Sequence, residues 1–490
     1  VPATGNPFPG LATGGLLVVL WTVAQNAMKE TDNMTQQITT QVRFWGGLDT
    51  IGGNIVSLEA GNYRILTDFG ALFGASLDEL KQVNLTPSLL EKGHLPAIDG
   101  LYTRQQLGAS DLASYEETDI KTIVCLSHLH LDHIGGFGQL PEGLPIYALE
   151  DSVSFYQRLA SDGLLPDFKV NWQAVQSEEP FQFGPFTIEF VVSDHDTIGA
   201  ASIFITGPDL KVVNSGDFRL TGFHPERVLH WAQKARDFQP DLFLVEGTTF
   251  SFDPGSRDDR MQLPEDLAAR VASISAGNEA KFLKDFTQVV AQAGNQLVAL
   301  NVYPQNIERL VYMAQALNRA GRTLVLEPNY YRLLRPYMAP EAALATINWD
   351  GDSNLPAQDA LTWDQVQAAP AQYAVQVDYE QHHDYIFSLS EGIYIHSNGV
   401  PLGAYDARYQ PWLEGIVKAG WQFYHGHVSG HASTQDLCLV NYVVGAKLVV
   451  PWHSFKPERY AEALVDLGLT PWLPSLEMTY SAEQIKSLAD

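Results

Sequence analysis

Ser127-His128-Leu129-His130-Leu131-Asp132-His133 places three histidines and an aspartate within six positions. The apolar run Ile123-Val124-Cys125-Leu126 precedes it and reads as a buried strand. Ile134-Gly135-Gly136 follows and can open a helix. Imidazole nitrogens and carboxylate oxygens are the donors that Zn²⁺ or Mn²⁺ takes in hydrolytic sites. Side chains two apart on an extended segment point the same way, so His128, His130 and Asp132 can converge on one side. His133, at the turn, can swing to a second metal. A lone histidine is usually a surface or satisfied core group. Three with an aspartate, just past a strand end, are a metal-site pattern.

Working outward, acids and histidines recur after apolar runs. A hairpin pattern around a Gly61-Asn62 turn ends at Asp68. The run 186–193 ends at Asp194-His195-Asp196, and 210–214 ends at Ser215-Gly216-Asp217. The run 242–245 ends at Glu246-Gly247-Thr248, and 447–451 ends at Trp452-His453. Ligands on loops at one edge of a layered sheet make a site on a rigid scaffold. From about residue 251 the pattern changes to β-α-β: a strand at 295–302, helical spacing at 307–317, Gly321 as a stop and a strand at 323–327. That order predicts a parallel sheet. A second dense constellation follows, His425-Gly426-His427-Val428-Ser429-Gly430-His431-Ala432-Ser433, with a helix expected over 436–444.

The chain has 490 residues, enough for about two or three domains with ample core. Its net charge of −27 opposes non-specific contact with nucleic-acid backbones, so a polyanionic substrate would need a local positive groove or the metals themselves. Arg309, Arg319, Arg322, Arg332 and Arg335 crowd one region, and no Lys or Arg occurs from 336 to 407. Spacing favours a solvated helix face for these arginines over a phosphate-facing patch. Cys125 and Cys438 each lie in an apolar stretch, so a disulfide framework is not expected and a cytoplasmic location fits. Residue 1 is Val, and the apolar run 16–21 is too short to span a membrane and has no basic residue before it. Residues 1–40 therefore read as an extension or processing remnant, with Met34 as a candidate translation start and no membrane partner.

The ordered set of Asp68, His128-x-His130-x-Asp132-His133, His195, Ser-Gly-Asp217 and Pro-Trp-His453 resembles the metallo-β-lactamase superfamily. It is most similar to the β-CASP branch, with its RNase J-type ribonucleases and metal-dependent mRNA 3′-end cleavage factors. Glu246-Gly247-Thr248 looks like the acidic motif of that branch, Ser429-Gly430-His431 like its second motif and His453 like its third. The resemblance covers about residues 42–475. It implies an α/β fold: a metallo-β-lactamase αββα sandwich interrupted by an α/β β-CASP cap domain. The expected parts are the extension 1–40, the sandwich 41–250, the cap 251–424 and the rest of the sandwich 425–490. There are departures. The further C-terminal domain of RNase J enzymes has no counterpart in the 37 residues after His453. The Ser454-Phe455-Lys456-Pro457-Glu458 flank replaces the usual Gly-Glu. The text around His195 is closer to a group of metallo-β-lactamase-fold exonucleases.

The resemblance implies two Zn²⁺ per chain, with Mn²⁺ as the alternative. His128, His130 and His195 would hold the first metal. Asp132, His133 and His453 would hold the second, and Asp217 would bridge them. The nucleophile would be a hydroxide activated by both metals. No serine elbow is needed, and Ser127 reads as a structural hydrogen-bonding group. The catalytic set is His431, Glu246, Asp132 and Asp68. His431 would protonate the leaving oxygen, Glu246 would favour its protonated form, and Asp68 would orient a ligand histidine. His427, Ser429 and Ser433 are candidate substrate-phosphate contacts. The other histidines, His94, His224, His230, His382, His383, His396 and His425, carry no partner pattern.

Three functions compete. The first is an RNase J-like nuclease hydrolysing single-stranded RNA, with a homodimer implied by family alone. The second is a hydrolase of a small phosphodiester, ester or amide, favoured by the low charge of the cap between 336 and 407, where acids continue without Lys or Arg, and by the altered His453 flank. The third, a non-catalytic scaffold, predicts missing ligands, yet every ligand is present.

Overall fold

The computed structural model describes residues 38–489 except 73, 253–277, 350–355, 378 and 402–405. The apolar run 16–21 and Met34 lie outside the described residues.

The hairpin expected around Gly61-Asn62 forms: Val56–Ala60 pairs antiparallel with Tyr63–Thr67. It lies inside a seven-stranded sheet ordered Thr479–Ser481, Gln41–Phe44, Val56–Ala60, Tyr63–Thr67, Lys121–Cys125, Pro145–Leu149, Asn171–Val175. A second sheet runs Leu448–Trp452, Leu242–Glu246, Lys211–Asn214, Ala201–Thr206, Phe186–Val192, Phe181–Phe183. The two sheets face each other across one apolar layer, where Phe44, Leu58, Ile65 and Ile123 meet Phe190, Ile203, Leu244 and Val450. The helices Pro225–Phe238, Thr434–Val444 and Pro457–Asp466 cover the outer face of the second sheet with Trp231, Cys438 and Tyr460. Glu150–Ser161 packs against the first sheet's outer face through Phe155 and Leu159. The layer order is αββα, as expected.

Strand direction explains why the ligands gather. Lys211–Asn214, Leu242–Glu246 and Leu448–Trp452 are mutually parallel. Phe186–Val192 is two antiparallel steps from Lys211–Asn214, so it runs the same way. Asp217, Glu246, His453 and His195 therefore all leave one edge of the second sheet. Asp68 and His128 leave the carboxyl ends of the parallel pair Tyr63–Thr67 and Lys121–Cys125.

The β-α-β pattern after 251 becomes a third sheet whose ladders are all parallel. Its order is Ala360–Leu361, Leu344–Ile347, Thr323–Leu326, Tyr373–Gln376, Val298–Val302, Gly392–Ser397, Trp421–His425. Near-continuous burial of these strands is what a sheet covered on both faces requires. The chain leaves Val298–Val302 toward Thr323–Leu326 on one side and later crosses from Tyr373–Gln376 to Gly392–Ser397 on the other, so the direction of winding reverses about this strand. Tyr303, just past that strand, places its ring 5.6 Å from the His130 ring. The arginine reading needs correction. Arg309 and Arg322 are buried rather than solvated: Arg309 meets Glu279, and Arg322 donates to the carbonyls of Gly294, Gln296, Pro370 and Tyr373. Helical spacing marked a face but not what covers it.

The His128–His133 turn is clasped by the hairpin end. Phe69 N donates to the His133 carbonyl at 2.9 Å, and a Cβ on Gly70 would lie 1.6 Å from the Asp132 carbonyl oxygen. That oxygen belongs to backbone and cannot swing away. Gly70→Ala is expected to cost about 3 kcal/mol in urea unfolding and to loosen the turn that carries Asp132 and His133.

Candidate metal centre

Two groups of side chains converge at the shared strand edge. His128, His130 and His195 form one; Asp132, His133, Asp217 and His453 form the other. Within each, the donor atoms all lie within 4.8 Å of one another. All seven residues expected as ligands are in these two sets. Asp217 Oδ2 joins them: it is 3.6 Å from His128 Nε2, 3.4 Å from His133 Nε2 and 3.7 Å from His453 Nε2. Two of the residues that shape this edge, Asp68 (φ +61°) and His453 (φ +53°), have left-handed backbone, a conformation that side chains other than glycine's adopt at a cost.

Four of the five ligand histidines are held through their other nitrogen. His128 Nδ1 is 3.0 Å from Ser127 Oγ, and His133 Nδ1 is 2.8 Å from Asp68 Oδ2. His453 Nδ1 is 2.6 Å from Thr248 Oγ1. His195 Nδ1 donates to the Gly430 carbonyl at 2.5 Å. His130 presents Nδ1 to His195 Nε2 at 3.1 Å and turns Nε2 toward Asp196 Oδ1 at 3.5 Å. Partners of this kind fix the ring orientation and tautomer of a metal-binding imidazole. Asp68 also accepts from Ser127 N and Ser127 Oγ, so one buried carboxylate fixes two ligand positions.

The fit to a divalent cation rests on what these atoms lack. His128 Nε2, His130 Nε2, Asp196 Oδ1 and Asp217 Oδ2 are buried without a hydrogen-bond partner. Buried polar atoms are rarely left so. Burial, with neighbouring imidazoles, pushes His128 well below the ordinary histidine range. Burial likewise pushes His195 down to about 3. Burial favours a neutral Asp217, but His453 and His133 outweigh it and hold the carboxyl well below the usual range. Burial also disfavours charge on His133, yet Asp217, Asp132 and Asp68 outweigh it and push His133 well above its ordinary value. Lone pairs on His128 and His195 and ionised carboxylates are the donor states a cation needs; His133 holds a proton that a cation would displace. The site therefore suits a hard or borderline cation with nitrogen and oxygen ligands.

His431 stands beside the second set. Its Nδ1 is 3.5 Å from Glu246 Oε1 and 3.8 Å from Asp217 Oδ2. Burial lowers it, but Glu246, Asp217 and Asp196 outweigh that and raise it to about 9. The candidate substrate contacts diverge. Ser429 Oγ is turned back on its own loop, donating to the His431 carbonyl and accepting from His431 N. His427 Nδ1 meets Asn398 Nδ2. Ser433 caps the helix Thr434–Val444, accepting from Asp436 N and donating to Asp436 Oδ2. A hydroxyl just before a helical run is the usual N-cap signal, and here that signal explains Ser433. Asp196 was passed over in the sequence as mere context for His195; only the fold shows its carboxylate against two ligand histidines. Histidines 224, 230 and 382 instead pair with Glu308, Glu178 and Glu327.

The β-lactamase superfamily domain model matches residues 96–277, the stretch that carries His128 to Asp217. Ribonuclease J of Mycoplasma genitalium is 22% identical over 485 residues, covering 91% of this chain and 76% of that protein. The chain carries a β-lactamase superfamily domain. Ribonuclease J of Thermus thermophilus is 24% identical over 444 residues, covering 84% of this chain and 67% of that protein. A solved protein of unknown function from Enterococcus faecalis V583 is 25% identical with a TM-score of 0.72, covering 90% of this chain and all of that one. The likeness thus spans the two sandwich sheets and the third sheet of this chain together.

Asp68 tests the build of the centre. Asp68→Asn is expected to weaken metal retention by about 10–100-fold, read by competition with a chromogenic chelator. Unchanged retention would mean that His133 is oriented by something else.

Proposed function

We propose that this chain is a metal-dependent RNase J-like nuclease that hydrolyses phosphodiester bonds of single-stranded RNA. The observation that carries the reading is His431, whose Nδ1 lies 3.5 Å from Glu246 Oε1 and 3.8 Å from Asp217 Oδ2 beside the two metal-ligand sets, with carboxylates that favour its protonated form. The ribonuclease J relatives supply the substrate class. The first set would hold one Zn²⁺ or Mn²⁺ and the second set another, with Asp217 between them. Bound there, the metals would supply Lewis acidity and a nucleophile at neutral pH.

The protein's own residues do the rest. His431 gives its proton to the leaving oxygen, and Glu246 keeps that proton on His431 until it is needed. Asp68 keeps His133 aimed. In this reading the cap is residues 251–424 and the sandwich 41–250 and 425–490, a division supported by Tyr303 beside His130 and Asn398 beside His427. His427 and Ser429 remain at the loop that a scissile phosphate would meet; Ser433 serves the helix cap. Both cysteines are free and buried, which accords with a cytoplasmic location, and among the described residues no helix is long and apolar enough to cross a membrane.

A small substrate is the second reading, favoured by one cavity. A space of about 380 Å³ between the two parts is lined by His195, Asp196, Asp194, Asp151 and Glu308, with Arg227 opposing them. That acidic lining suits a compact, weakly charged ligand better than a polyanion.

The deciding assay uses metal-loaded protein and a short 5′-monophosphorylated single-stranded RNA. Mononucleotide release is expected from the wild type, with loss on chelation, recovery with Zn²⁺ or Mn²⁺, and a fall of about 100-fold or more in His431→Ala. No cleavage with both metals bound would shift the assignment to the small substrate.

A further inference from the structure

The loop that carries His431 has three successive carbonyls, each held by a different buried cationic or imidazole side chain. Arg309 Nη2 donates to the Val428 carbonyl at 3.4 Å, and Arg219 Nη1 donates to the Ser429 carbonyl at 3.3 Å. His195 Nδ1 takes the Gly430 carbonyl. The loop is pressed close: a Cβ on Gly430 would lie 2.8 Å from Asp196 Oδ1.

The two arginines come from different parts of the fold and meet on one carboxylate. Arg219 follows the second-sheet strand Lys211–Asn214, and Arg309 lies on the helix Ile307–Arg319 of the third sheet. Glu279 Oε1 is 3.0 Å from Arg219 Nη1 and 2.7 Å from Arg309 Nη2. All three side chains are at most 3% exposed. Arg309 uses every nitrogen of its fork: Nε on Glu279, Nη2 on Glu279 and Val428, Nη1 on Ser397 and Asn398. Asn398, itself at φ +60°, passes the contact on to His427. A buried ion network is a poor source of net stability, and its best-attested use is to specify geometry. Arginine's rigid fork suits that use, and lysine cannot span the same partners.

We propose that Arg309 and Arg219, joined through Glu279, are positioning residues for His431: they fix the Val428 and Ser429 carbonyls and so tie the aim of the acid to the placement of the third sheet on the sandwich. This rests on His431 being the proton donor to the leaving oxygen. The donor matters for an alkoxide leaving group and hardly at all for a nitrophenolate, which departs without a proton. Misplacing His431 thus changes leaving-group selectivity, whereas general damage lowers both rates alike.

The experiment compares wild type, Arg309→Met, Arg309→Lys and His431→Ala on two substrates, a 5′-phosphorylated oligoribonucleotide and bis(p-nitrophenyl) phosphate, with metal content measured for each. Arg309→Met is expected to lose about 100-fold in kcat/KM on the oligoribonucleotide and less than about fivefold on the aryl ester, with Arg309→Lys between it and wild type. Equal losses on both substrates, or none, would overturn the proposal. Hydrogen exchange supplies a readout that needs no substrate: backbone amides of 428–432 in metal-loaded protein are expected to exchange at least about tenfold faster in Arg309→Met, and unchanged exchange also overturns it. If Arg309→Met does not fold, Asn398→Ala, which removes one acceptor of Arg309 Nη1 together with the contact to His427 and leaves Glu279, Val428 and Ser397 in place, is expected to show the same selectivity at smaller size. A wild type inert toward RNA, or His431→Ala without leaving-group selectivity, would instead defeat the nuclease reading or the acid assignment, and the exchange measurement would still decide the clamp.

Discussion

Asp217 is the constraint around which the rest is arranged. One oxygen of this buried carboxylate faces three ligand imidazoles and His431 within 3.4–3.8 Å, and accepts no hydrogen bond from the protein. An ionised carboxylate in such a place is unfavourable unless positive charge is brought to it. His133, His431 and the cations the centre is built for supply that charge. To bring them there, strands of two sheets must end at one edge and the chain must turn sharply at Asp68 and His453. The αββα stack, with its shared apolar layer, makes that edge rigid enough to hold the arrangement.

A second layer of contacts separates the roles of similar residues. Histidines 128, 133, 195 and 453 differ little as amino acids, yet Ser127, Asp68, the Gly430 carbonyl and Thr248 each set which nitrogen faces inward. His431 has the carboxylates of Glu246 and Asp217 beside its Nδ1, which raise its affinity for a proton and suit the donor role proposed for it. In that proposal the neighbours alone divide the same imidazole chemistry between binding and proton transfer.

Much of this was legible in the chain. The ligand histidines and acids follow apolar runs of strand length, and those runs became strands within a residue or two of the expected ends: 186–193 became Phe186–Val192 and 447–451 became Leu448–Trp452, while the helix expected over 436–444 formed as Thr434–Val444. Local pattern carries such information because strand ends and caps are set by neighbours in sequence. What could not be read is set by residues far apart. Arg309 looked solvated because nothing near it reveals that Glu279 and Val428 close over it. Asp196 looked incidental because its partner His130 is on another sheet. Ser433 was read as a phosphate contact although the helix behind it already claims its hydroxyl. Strand order in the third sheet, with Tyr373–Gln376 returning between earlier strands, is likewise invisible to periodicity.

The strand Leu448–Trp452 sits at the border of the second sheet, yet it is made after the whole third sheet and supplies His453. The triad of the first set is complete once residue 195 has been synthesised; the second set waits for a strand some 250 residues later. A chain growing on the ribosome therefore carries six of the seven candidate ligands by residue 217 and receives His453 only after the third sheet has been made. Timing of synthesis alone leaves the second set one ligand short in a partly built molecule.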